Sequence, residues 1–292
     1  MRLRPDCLPC LYNQTLRLAK VAGCNEECSV EVLHEGAKFL ASLALDRTPP
    51  EAAAELYPML SRIIGTDDPY EEQKLRSIQK AKELLPWVEQ KLKESEDPLK
   101  AALRAAVAGN VIDFATQVSF DLEEEVKAIF EARFAIDEME GFIQRSQKSK
   151  DLVIIGDNAG EHLFDKLMIE VFHRYFPNLR IYYFVRGRPI INDVTMKEAK
   201  MVGMDEVCEV VDSGVDTPGF LMERANERAR RIYKEADLIL AKGMGNFECM
   251  ESYEDARLFF LFKVKCSVVA ARTGCTIGDL LCANQQTLKE ER

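Results

Sequence analysis

Four short apolar runs in the second half of the chain, at 152–155, 180–185, 207–211 and 238–241, each give way to a loop rich in Gly, Asp or Asn. Amphipathic helical stretches lie between them, for example at 161–175 and 219–234. Apolar strands alternating with helices predict βαβ units and a mainly parallel sheet, because a strand that is apolar on both faces must be covered on both. Ligands of such sheets bind beyond the carboxyl ends of the strands. The loops after the four runs are therefore where chemistry is expected.

Residues before 150 follow a different period. Leu11, Leu16, Leu18 and Val21 recur at helical spacing, as do Val32, Leu33, Ala37 and Leu40. Pro49-Pro50 opens a helix over 51–64, and 65–69 breaks it. The Lys/Glu-rich segments 71–84 and 87–95 read as solvated helix faces. Segment 98–118 is Ala-rich and interrupted by Gly109-Asn110. Nothing in this half alternates like a strand. The expected architecture is multidomain α and α/β. A helical bundle over 1–149 precedes an α/β/α three-layer domain over 150–292 that carries the site.

Among 292 residues, 47% are apolar, enough for a sizeable core. The net charge of −10 argues against a nucleic-acid partner, which demands clustered Lys and Arg. It also requires any phosphate site to be built locally. No apolar run is long enough to span a bilayer. The first residues carry Arg2, Arg4 and Asp6 and no apolar signal core, so the cytoplasm is the expected compartment. A homo-oligomer is compatible with the sequence. Nine cysteines include C-x2-C at Cys7 and Cys10, then Cys24 and Cys28. These suit zinc, a redox pair or plain reduced thiols near a helix start equally well.

The four loops are 156–161, 186–195, 212–219 and 242–248. Asp157, Asn158 and Asp193 offer hard oxygen donors, and none of the three histidines lies in the loops, which favours Mg²⁺ or Mn²⁺ over a His-bound zinc. Asp157 and Asp193 also suit helix capping. The metal assignment is preferred because both would lie at one sheet edge. Lys242 follows the fourth strand and is the expected phosphate partner, with Gly243 letting phosphate approach the backbone. Arg186, Asn192, Ser213, Asn246 and Glu248 are the remaining loop candidates for substrate binding. Asn110 and Asp113 are expected to face the α/β domain and support the metal loop.

At these loops the chain resembles the damage-control phosphatase family, once called domain of unknown function 89. The resemblance rests on G-D-N-A-G-E at 156–161, R-G-R-P-I-I-N-D-V-T at 186–195 and K-G-M-G-N-F-E at 242–248. It extends to Asp-Pro-Tyr at 68–70 with Lys74 and to A-G-N-V-I-D at 108–113, and C-L-P-C at 7–10 resembles the stand-alone microbial branch. It implies a helical bundle on an α/β/α domain, a divalent metal (Mn, Mg, Co or Ni) held by Asp157, Asn158 and Asp193, and hydrolysis of small phosphorylated metabolites such as sugar phosphates or damaged phosphometabolites. The alternatives are an S-adenosylmethionine-dependent carboxyl methyltransferase, which fits poorly because the second run ends in Val185-Arg186 rather than an acid, and a non-catalytic phosphometabolite-binding protein.

Overall fold

A computed structural model describes residues 1–112 and 122–290, with the side chains of 109–126, 289 and 290 left aside. Helices α1 (Cys7–Val21), α2 (Glu26–Ala41) and α3 (Pro49–Ile64) pack around Leu18, Ala19, Val32, Leu56 and Leu60. The start of α3 shows how the sequence sets these boundaries. The Thr48 hydroxyl accepts the Glu51 N–H at 3.3 Å, the Glu51 carboxylate accepts the Thr48 N–H at 2.7 Å, and Pro49 supplies a residue that has no N–H to leave unsatisfied. Gly65 ends the helix in the left-handed region, with φ 83°.

Next come α4 (Glu71–Glu94), α5 (Pro98–Ile112), α6 (Leu122–Glu131), β1 (Phe134–Asp137), α7 (Met139–Lys148), β2 (Asp151–Ile155), α8 (Glu161–Tyr175) and β3 (Arg180–Val185). The chain continues with α9 (Met196–Met201), β4 (Glu209–Asp212), α10 (Glu227–Glu235), β5 (Leu238–Lys242), α11 (Gly243–Met250), β6 (Leu258–Lys263), α12 (Ser267–Thr273), β7 (Leu280–Asn284) and α13 (Thr287–Glu290). The strands form one sheet in the order β1-β7-β6-β5-β2-β3-β4. Every neighbouring pair is parallel except β6 with β7.

Alternate residues of each strand enter opposite cores. Leu152, Ile154, Ile181, Tyr183, Leu238 and Leu240 pack beneath α4, α5, α7 and α8. Val153, Ile155, Phe184, Ile239 and Ala241 pack beneath α10, α11 and α12. The three-layer architecture is as expected from sequence. The half read as wholly helical nonetheless contributes β1, which pairs with β7 at the sheet edge. The buried alanines of α5 (Ala101, Ala102, Ala105, Ala106) let that helix lie close along α8, so the first core draws on residues from both sides of position 150.

From β2 the chain runs outward through β3 to β4, then returns to β5 on the other side of β2. The crevice beyond the carboxyl ends of β2 and β5 is thus the point where the winding reverses, and this is where an open α/β sheet takes its ligand.

Candidate active site

The loops after β2 and β3 are zipped together at that crevice. Val194 N–H donates to Asp157 O at 2.8 Å, Ala159 N–H donates to Asn192 O at 2.9 Å, and Asn158 and Asp193 form an isolated antiparallel bridge. The three oxygen-bearing side chains expected to hold a metal, Asp157, Asn158 and Asp193, therefore meet on one wall of a cavity of about 370 Å³. Asn158 Nδ2 donates to Asp157 Oδ2 at 2.9 Å, and Arg186 Nε donates to Asp193 Oδ2 at 2.7 Å. Gly243, with φ 77°, packs directly on the Asp157 carboxylate, and a Cβ at that position would overlap it. Only glycine fits there.

The electrostatics suit a cation. Asp157 and Asp193 are 7% and 2% exposed. Burial, and then the negative charge of Asp193, push the Asp157 carboxyl up to about 7, against the pull of Lys265, Arg186 and Lys242. Among the described residues no three His, Cys, Asp or Glu side chains gather to hold a metal ion. The donors here are two carboxylates and one amide, an all-oxygen set that suits a hard divalent ion, and the excess negative charge is what such an ion offsets.

The loop that presents Asp193 is held under strain. Ile191 has φ 46° and is the only non-glycine residue with positive φ among those described. For a β-branched residue this is a disfavoured conformation, tolerated where packing over-determines it. Here Ile190 and Ile191 pack into the core of α1 and α3. Below the loop, Thr195 caps α9 with Glu198, and Lys74 of α4 bonds Glu198 Oε1 at 2.8 Å and Asp68 Oδ2 at 2.6 Å. His162 completes the support: its Nδ1 accepts the Gly160 N–H at 3.0 Å and its Nε2 lies 3.0 Å from Glu198 O. Burial pushes the His162 pKa down to about 4, so the ring is neutral and Nε2 carries the proton that it donates.

Other expected residues have partners inside the protein. Lys242 is not on the cavity wall; its fully buried Nζ bonds Glu161 Oε1 and Asp165 Oδ1 at 2.6 Å each and Ala106 O at 2.9 Å. Burial disfavours its charge, but Asp165 and Glu161 more than offset this and hold the ammonium above its ordinary range. Asn246 is a staple: its Nδ2 donates to Lys242 O at 2.5 Å and Gly156 O at 3.1 Å, and its Oδ1 accepts from Phe220 N–H at 2.8 Å and Arg186 Nη2 at 3.3 Å. Ser213 Oγ donates to Val185 O at 2.6 Å and accepts the Val215 N–H at 3.2 Å. Asn192 and Glu248 do line the cavity. Asp113 and the side chain of Asn110 lie outside the described residues.

A family model described as the damage-control phosphatase ARMT1-like domain matches residues 3–281. The chain belongs to this damage-control phosphatase family. A damage-control phosphatase of Pyrococcus horikoshii is 32% identical over 97% of this chain and 98% of its own length. A second damage-control phosphatase, from Archaeoglobus fulgidus, is 32% identical over 96% of this chain and 98% of its own. The crystal structure of a DUF89 family protein from Pyrococcus horikoshii superimposes with a TM-score of 0.90 at 31% identity, covering 98% of this chain and 99% of that one.

Two features of this family member escaped the sequence reading. Lys265 lines the cavity, and its positive charge helps hold down the Asp157 pKa, together with Arg186 and Lys242. It follows β6, an apolar run (Leu-Phe-Phe-Leu-Phe) that the four-strand reading passed over, so the signal was present. The opposite wall comes from α1 and α3, through Cys10, Gln14, Arg17, Pro50 and Tyr57 among others. Of the amino-terminal cysteines, Cys24 and Cys28 are joined by a disulfide, whereas Cys7 and Cys10 are free thiols on the cavity wall.

Proposed function

We propose that this protein is a divalent-metal-dependent phosphatase that hydrolyses small phosphorylated metabolites. The observation that carries the reading is the meeting of Asp157, Asn158 and Asp193, from two separate loops, on one cavity wall at the point where the sheet reverses its winding. Names of the relatives from Pyrococcus horikoshii and Archaeoglobus fulgidus support the same activity. Asp157, Asn158 and Asp193 would hold the metal, with Mn²⁺, Mg²⁺, Co²⁺ and Ni²⁺ as candidates. The bound ion supplies Lewis-acid neutralisation of phosphate charge and a lowered pKa for the attacking water.

The chain's own residues do the rest. Arg186 fixes one oxygen of Asp193 and so sets the direction of its carboxylate. Lys265, on the cavity wall, stabilises the non-bridging phosphate oxygens, the role first assigned to Lys242. Burial pushes the Glu248 carboxyl up to about 8, so it carries a proton at neutral pH. Glu248 gives that proton to the departing alcohol oxygen and is reprotonated from solvent after the product leaves, while the protons of the water, which attacks from the opposite side of phosphorus, depart on the product phosphate. Glu161 is unsuited to this task, being locked against Lys242 away from the cavity wall. A screen of phosphorylated sugars and cofactors, with and without chelator, tests the reading. Metal-dependent phosphate release supports it. Methyl transfer from S-adenosylmethionine, or tight binding of phosphometabolites without turnover, would replace it.

A further inference from the structure

The cavity is longer than one phosphate group needs. One face of α1 lines it through Cys7, Cys10, Gln14 and Arg17, at i, i+3, i+7 and i+10. The first turn marks the catalytic end, because the Met1 amino group just before it donates to Glu248 O at 2.5 Å, and Glu248 shares the cavity wall with Asp157. Arg17 stands seven residues beyond Cys10, about 10 Å farther along the helix axis at ~1.5 Å per residue. At that end the Tyr57 hydroxyl donates to Gln14 Oε1 at 3.3 Å, and the charge of Arg17 acts on the same phenol. In a chain of net charge −10 a cavity cation so far from the phosphate-binding wall is a selective feature: it favours an anionic group where most of the surface repels one.

We infer that Arg17, assisted by Gln14, binds a second anionic group of the substrate, so that the preferred substrate is a phosphate monoester bearing a carboxylate or a further phosphate at the far end of its carbon chain. The inference rests on the proposed phosphatase reading for the position of the first phosphate. The helical half would then measure the length and charge of the metabolite, while the sheet loops cut it.

The test uses the full-length, metal-loaded protein with hexyl phosphate, 6-phosphooxyhexanoate and hexane-1,6-diol bisphosphate. In parallel, the matching non-hydrolysable phosphonates are titrated by calorimetry. The native protein is expected to favour at least one of the doubly anionic esters over hexyl phosphate by about tenfold or more in kcat/KM, and the matching phosphonate by a similar factor in Kd. Preference for the carboxylate alone, or for the bisphosphate alone, identifies the second anion. R17Q should bring the ratios close to one, and R17K should recover part of them by keeping the charge. Equal turnover and equal binding of all three chains by the native protein would overturn the inference, as would an R17Q variant that weakens every ligand by the same factor. If no ester is hydrolysed but the phosphonates still show an Arg17-dependent preference, the phosphatase reading fails and the second-anion site stands. If esters are hydrolysed without preference, the reverse holds.

Discussion

Lys74 Nζ lies 2.8 Å from Glu198 Oε1 and 2.6 Å from Asp68 Oδ2, and the lysine is only 1% exposed. This contact bolts α4 of the helical half to α9, the helix that follows the Asp193 loop. Removing one partner of a buried ion pair leaves the other charged and unsolvated. Lys74→Met should therefore lower unfolding stability by roughly 3–5 kcal/mol, measured by urea denaturation. A loss within the range of an exposed pair, under about 1 kcal/mol, would show that the contact is not holding the halves together.

Lys242 and Lys265 should fail in different ways. Lys242→Met leaves Glu161 and Asp165 facing each other without their cation, so the expected defect is in folding, read as a large drop in Tm. Lys265→Ala should lower Tm much less than Lys242→Met while costing roughly 3 kcal/mol of transition-state stabilisation, about a hundredfold in rate. Added metal should not restore it. A stable Lys242→Met variant with selectively weakened phosphate binding would return the phosphate role to Lys242.

The proposed metal site predicts an inverse relation between stability and activity. In metal-free protein the buried Asp157 carboxylate is repelled by Asp193. Asp157→Asn should raise the Tm of the metal-free form yet abolish most of the Tm increase on adding Mn²⁺, which stabilises by binding only the folded state. Turnover should vanish with chelator in the native protein and be partly rescued in the variant by excess metal. An Asp157→Asn protein whose Tm rises with Mn²⁺ as steeply as the native one would remove Asp157 from the ligand set.

Glu248 predicts a pH effect of definite sign. Its folded-state pKa of about 8 exceeds the ordinary glutamate value of 4.5, so the native state binds the extra proton between those limits. Stability from this group is complete below pH 4.5 and declines as pH rises towards 8. Glu248→Gln should flatten the fall in Tm of metal-free protein between these limits. Glu161, also pushed up to about 8 by burial, contributes a decline of the same sign that the variant leaves in place. Parallel Tm profiles for native and variant would show that Glu248 titrates normally.

The strands that sequence revealed best, β2, β3 and β5, are continuous apolar runs because helices cover both their faces. β1 is four residues, Phe-Ala-Ile-Asp, too short to show a period, and it exists because β7 offers it an edge. That Asp157 and Asp193 lie together at the crevice was legible, because backbone position decides it. Where the Lys242 side chain points was not, because a sequence does not show side-chain direction. Lys242 continues the alternation of β5 after Leu240, so it enters the core beneath α5 and α8 instead of the crevice. That Arg17 lines the cavity was not legible, because nothing in a helical pattern tells which of its faces will meet a distant sheet.

The cavity wall drawn from α1 and α3 is made of a different stretch of chain from the loops that carry Asp157 and Asp193. Selection can therefore act on the two separately. Replacements along α1 at positions such as Gln14 and Arg17 alter the company an incoming molecule meets without disturbing the carboxylates that would act on it. A lineage built on this plan is free to change its diet while keeping its teeth.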